Sequence, residues 1–124
     1  MQAPFTRQQR ILTSSEFQRV FRQSRRVSDN LFMVCARFQS TPPARLGLAI
    51  SKKHARRAVD RNRLKRHARE TFRRNAAALR PGDYIIVNKP AATDASNQSL
   101  RRSLSGLLAQ LQRKTPRRTP RDSA

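Results

Sequence analysis

Acidic side chains are scarce in this 124-residue chain: Asp and Glu number 7 against 28 Lys and Arg, a formal net charge of +21. The seven acids stand singly, and none forms the D-x-D or E-x-x-H pairing that suits a two-metal nuclease site. No catalytic residue and no metal ligand set is expected in a chain so arranged. One cysteine, Cys35, excludes an intramolecular disulfide and a Cys-rich zinc site. It lies in an apolar run with no cation beside it, so it reads as a small hydrophobe and not as a reactive thiol. No run approaches the roughly 18 apolar residues of a membrane span. The segment from Met1 to Arg7 has no apolar stretch behind its charge, so no secretory signal is expected and the location expected is cytoplasmic. Of the two imidazoles, His54 and His67, the second sits at the edge of an apolar stripe, where packing is its default role.

What is present suits one domain with a modest core. Residues 1–10 read as a basic arm, 11–114 as the folded domain and 115–124 as a disordered basic tail. Thr13 and Glu16 have the spacing of a capping box, with Leu12 and Phe17 at the staple positions, and open a helix over about 14–23. Phe17, Val20 and Phe21 share one face of it. A short edge strand is expected at 26–28 and an apolar strand at 31–38. A turn with two prolines follows, then a strand at 46–51 expected to pair antiparallel with the preceding one. A long helix is expected over about 59–79 on the stripe Leu64, Ala68, Phe72 and Leu79. A strand at 84–87 and a helix from about Asn97 complete the order. The last stripe is Leu100, Leu104, Leu107, Leu108 and Leu111.

A compact body of this charge repels itself unless a polyanion neutralises it, and nucleic acid outranks an anionic membrane surface as partner. Residues 51–74 carry eleven Lys or Arg against two acids, a net of +9. Asn62, Arg66, Arg69 and Arg73 recur at helical spacing opposite the apolar stripe, flanked by Arg61, Arg63 and Lys65, with Lys52 and Lys53 just before. Guanidinium forks on one helix face suit bidentate phosphate contact. A solvated face is the bland alternative, and the near absence of acidic partners argues against it. Arg117, Arg118 and Arg121 in the tail either reach further phosphates or keep the tail soluble. Phe17 and Phe21 fit either a core or a base-stacking surface for single-stranded RNA.

The run from Leu46 to Lys53, the Arg61-Asn62-Arg63 triplet within Ala58 to Arg66, the segment Glu16 to Phe21 and the strand Asp83 to Pro90 together resemble the bacterial ribonuclease P protein component over about residues 10–112. The resemblance implies a small α/β domain, an α+β sandwich of order α-β-β-β-α-β-α. Its four-stranded sheet would be mixed, with a left-handed β-α-β crossover. It implies the accessory subunit of a ribozyme that removes the 5′ leader from precursor tRNA. The catalytic RNA would supply the Mg²⁺ sites and the chemistry, and no obligate protein partner or membrane is implied. Lys52, Lys53, Arg61, Asn62, Arg63, Lys65, Arg66, Arg69 and Arg73 would meet the catalytic RNA. Phe17, Phe21 and Cys35 match a cleft for the single-stranded leader, with Cys35 standing where some members place an aromatic residue. A ribosomal or other structural RNA-binding protein and a stand-alone nuclease or DNA-binding protein are the competing readings.

Overall fold

The computed structural model describes residues 14–22, 24–40 and 42–113. The expected cap and staple residues Leu12 and Thr13, the arm over 1–10 and the tail over 115–124 lie outside them. The elements run α1 (Ser14–Arg22), β1 (Arg25–Ser28), β2 (Phe32–Phe38), β3 (Ala44–Ala49), α2 (Ala58–Asn75), β4 (Gly82–Asn88) and α3 (Asn97–Gln112). Single 3-10 turns occupy Ala76–Ala78 and Pro90–Asp94. The architecture is α+β: three helices and one mixed sheet, ordered β1-β2-β4-β3.

One expected pairing is wrong. β3 does run opposite to β2, but the two are not neighbours: β4 lies between them, antiparallel to β2 and parallel to β3. The link from Phe38 to Ala44 crosses two strand spacings of about 4.7–4.9 Å each, since both residues stand level with Gly82. Five intervening residues reach that far easily. The central place goes to β4 because Tyr84, Ile85 and Ile86 are buried on both faces, whereas β3 is half-buried at four of its six positions. Gly82, with φ of +152°, starts the strand where an added Cβ would stand 2.6 Å from the Arg37 carbonyl oxygen.

Period-2 alternation divides the sheet into two faces. Phe32, Val34, Ala36, Leu46, Tyr84 and Ile86 form the main core with Leu64, Ala68 and Phe72 of α2 and the leucine stripe of α3. Tyr84 sits edge-on to Phe72 and Phe38, at centroid distances of 5.6 and 6.0 Å. Its hydroxyl donates to the Arg80 carbonyl at 2.7 Å and accepts from Gln112 Nε2 at 3.1 Å. Ser96 caps α3, its hydroxyl accepting from the Ser99 amide. α2 has no side-chain cap, but Asp60 lies in its first turn and Arg73 and Arg74 in its last, as the helix dipole favours. It ends at Asn75, four residues short of the expected Leu79, which is nevertheless buried in the core. α1 covers part of the other face, where Val20, Cys35 and Ile85 are buried.

His67 is 4% exposed on the side of α2 that packs against α3, and neither ring nitrogen has a hydrogen-bond partner. Burial holds its pKa below the usual histidine value. A contact with Asn97, too poorly aligned to count as a hydrogen bond, partly offsets this, while the charges of Arg66, Arg63 and Arg101 add to it. The folded state therefore keeps the ring neutral while the unfolded chain protonates near pH 6.5. Unfolding takes up a proton below that pH, so stability is full above about pH 6.5 and declines as the pH falls toward the depressed folded value. A His67→Leu variant should lose this decline, and should gain about 1 kcal/mol at pH 7.5 by removing an unsatisfied buried polar group. Melting temperatures of both proteins at pH 7.5 and 5.5 check it.

Candidate nucleic-acid interface

The basic loop before α2 is built on the end of the central strand. Buried Asn88 accepts from the Ser51 amide at 2.7 Å through Oδ1 and donates to the Ser51 carbonyl through Nδ2. The Ser51 hydroxyl accepts from the His54 amide, and the His54 carbonyl accepts from Thr93 Oγ1 at 3.0 Å. Lys52 and Lys53 are exposed on this braced turn. Beside it lies a concavity of about 380 Å³ lined by Lys53, His54, Arg56, Arg57, Asp60, Pro90, Thr93 and Asp94. Arg56 and Arg57 were not singled out from the sequence, although they belong to the same basic run. Arg57 holds Asp60 with Nε to Oδ2 at 3.0 Å, and this hydrogen bond keeps the Asp60 carboxyl below the usual range.

The arginines of the triplet bond within the chain. Arg61 Nη1 donates to the carbonyls of Ala55 and Arg56 at 3.0 and 2.7 Å, closing the loop onto the helix. Arg63 donates from Nε to Asn97 Oδ1 at 2.8 Å, from Nη1 to the Thr93 carbonyl at 3.3 Å and from Nη2 to the Ala95 carbonyl. One guanidinium thus ties α2 to the 3-10 turn and to the start of α3. Asn62, Arg66 and Arg69 are exposed, while Lys65 and Arg73 are half-exposed. Arg66 and Arg69 form no ion pair among the described residues. The expected surface therefore divides into outward groups and two arginines that also brace it.

On the other face of the sheet, α1 leaves an apolar patch partly open to solvent. Phe17 and Phe21 are each half-buried, so the core and surface readings both describe part of the ring. Met33, Ala49 and Val87 continue the apolar floor beside them, partly exposed. Sequence reading missed these three, although they alternate with buried neighbours. Cys35 has no exposed surface and lies sealed with Val20 and Ile85. It supports the floor without lining the open part. Burial pushes its thiol pKa up, against the opposing effects of Arg26 and Ser24.

No group of three His, Cys, Asp or Glu is placed to hold a metal ion among the described residues. Four of their six acids are engaged within the chain. Asp29 accepts from the Leu31 and Phe32 amides and from Ser103. Glu16 and Asp83 hold Arg45, and Asp60 holds Arg57. That donor set does not make a Mg²⁺ cage of clustered oxygen ligands.

Arg63→Ala should lower stability by about 1–3 kcal/mol, because three acceptors lose a charged donor. Arg66→Ala should stay within about 0.5 kcal/mol of the parent. Denaturant unfolding of the two variants distinguishes a brace from an outward-facing cation.

The sequence profile of the family described as Ribonuclease P matches residues 5–112. The chain is 44% identical over 107 residues to the ribonuclease P protein component of Thioalkalivibrio sulfidiphilus (strain HL-EbGR7), covering 86% of this chain and 89% of that protein. It is 43% identical over 96 residues to the same component of Vibrio campbellii (strain ATCC BAA-1116), covering 77% and 81%. Among solved structures, the RNase P protein of Staphylococcus aureus superposes with a TM-score of 0.78 at 29% identity, over 83% of this chain and 94% of that one. The Thermotoga maritima protein gives 0.73 at 25% identity, over 82% and 96%. The chain belongs to the ribonuclease P protein component family.

Proposed function

We propose that this chain is the protein subunit of a ribonuclease P ribonucleoprotein, bound to a catalytic RNA and assisting removal of the 5′ leader from precursor tRNA in the cytoplasm. The observation that carries this reading is the pair of unlike surfaces on one sheet. One is a braced cationic platform on the loop and α2; the other is a partly exposed apolar patch that includes two phenylalanines. Lys52, Lys53, Asn62, Lys65, Arg66, Arg69 and Arg73 meet the phosphates of the catalytic RNA, with Arg61 and Arg63 holding that platform in shape and adding their charge to it. The patch formed by Phe17, Phe21, Met33, Ala49 and Val87 takes unpaired leader bases, which stack on aromatic faces with little regard to sequence. Mg²⁺ and the phosphodiester hydrolysis belong to the RNA, in keeping with dispersed acids, four of which are tied within the chain. This chain's part is to neutralise, orient and hold.

Cleavage of precursor tRNA by the purified protein with and without the catalytic RNA tests the reading as a whole. Cleavage should need the RNA, and activity by nuclease-treated protein alone would overturn it. Binding of the catalytic RNA should fall about 10³–10⁵-fold between about 50 and 200 mM salt if about six to ten phosphates are neutralised. A flat response in a salt titration contradicts the platform. Phe21→Ala should weaken holoenzyme binding of precursor tRNA by about 1–3 kcal/mol while sparing mature tRNA, which has no leader. Equal losses for both, with a large drop in melting temperature, would mean that the ring is core alone.

A further inference from the structure

At nine residues, α1 is shorter than the roughly 12–15 an isolated helix needs even for marginal stability in water. Its place on the sheet therefore depends on tertiary ties. In its last turn, Val20 is buried with Cys35 and Ile85. At its C-terminal end the Phe21 carbonyl accepts from Arg26 Nη2, on edge strand β1. Near its N-terminal end the Glu16 carboxylate accepts from Arg45 Nη1 at 2.8 Å, on the opposite edge strand β3. Arg45 is not free to follow the helix. Its Nε and Nη2 grip the two oxygens of Asp83 at 2.8 and 2.9 Å, and the Asp83 side chain is only 4% exposed. A planar fork held on two prongs by the central strand presents its remaining nitrogen in a set direction. Phe17 follows Glu16 directly, so the prong that holds Glu16 also sets how far Phe17 stands from the sheet.

We propose that Arg45 is a positioning residue for the leader surface: anchored on Asp83, it holds Glu16 and so fixes where Phe17 stands beside Met33, Ala49 and Val87. Preference for precursor over mature tRNA then depends on the Glu16–Arg45 contact. This rests on the leader reading above. A bridge that merely stabilises the fold would move affinities for both tRNAs together.

The test changes Glu16 and leaves Arg45 in place, because losing Arg45 would strand a buried Asp83 carboxylate. Glu16→Ala removes the acceptor, Glu16→Lys repels the guanidinium, and Glu16→Gln keeps an oxygen for Nη1. Two readouts are taken. The first is the rate at which the single thiol, Cys35, reacts with a small disulfide reagent in the free full-length protein. Cys35 is sealed beside Val20 of α1, so its rate reports unseating of the helix. The second is the ratio of holoenzyme affinities for precursor and mature tRNA.

Ala and Lys should raise the Cys35 rate and lower the affinity ratio, each by about threefold to tenfold, with Lys the larger. Gln should stay within about twofold of the parent on both. An unchanged ratio in the Ala and Lys variants overturns the proposal, as does a loss shared equally by precursor and mature tRNA. A Gln variant as impaired as Ala overturns it too, since position would then not be what Glu16 supplies. If the parent holoenzyme shows no preference for precursor, the leader reading falls and takes the claimed preference with it. The Cys35 rates alone then decide whether Glu16 seats α1.

Discussion

With four cations to every acid, the chain has few carboxylates with which to offset its own repulsion, and the fold depends on where they stand. Four of the described acids sit at joints between elements. Asp29 closes the β1–β2 turn and reaches Ser103 on α3. Burial works against its ionisation, yet the Ser103 hydroxyl and the Phe32 and Leu31 amides outweigh burial and keep its carboxyl below the usual range. Glu16 and Asp83 meet at Arg45, where Asp83 above all, and then Glu16, raise the guanidinium pKa. Asp60 steadies the entry to α2. With the acids so placed, Arg66 and Arg69 of α2 face outward with no ion pair among the described residues, and a polyanion becomes the natural counter-charge.

The same economy explains the inward turn of Arg61 and Arg63. The Ser51–Arg57 loop and the Pro90–Asp94 turn leave carbonyl groups that no ladder satisfies, and buried or half-buried carbonyls need donors. Guanidinium groups are the abundant donors in this chain. Arg61 serves two carbonyls and Arg63 two carbonyls and an amide oxygen. One residue type thereby braces the platform from below and supplies its charge above.

Most elements were legible in the sequence because their apolar periods are clean. The Leu100–Leu111 stripe gave α3, and Leu64, Ala68 and Phe72 gave the inner face of α2. The strand order was not legible, because hydropathy shows which segments are strands but not which one inserts between two others. Only the burial of β4 on both faces decides that, and it shows once α1 covers Ile85. At the candidate site, charge density located the basic helix without revealing that Arg63 bends back to Asn97, thirty-four residues away. Met33, Ala49 and Val87 escaped notice because partly exposed apolar residues look like ordinary strand alternation. The acid ties of Arg45 were equally silent, since Glu16, Arg45 and Asp83 are far apart along the chain and meet only in the fold.

Val87 and Asn88 are consecutive on the central strand and point to opposite faces. Val87 lies in the floor beside Phe17 and Phe21, and Asn88 grips the backbone of Ser51, from which the basic loop departs. A single peptide unit thus joins the apolar patch to the strand end from which the cationic platform is braced. The two surfaces share one origin in the sheet with no linker between them, so the offset between the apolar floor and the root of the basic loop is set by backbone geometry. The sheet behaves as a gauge block, with the apolar floor on one face and the root of the basic loop on the other.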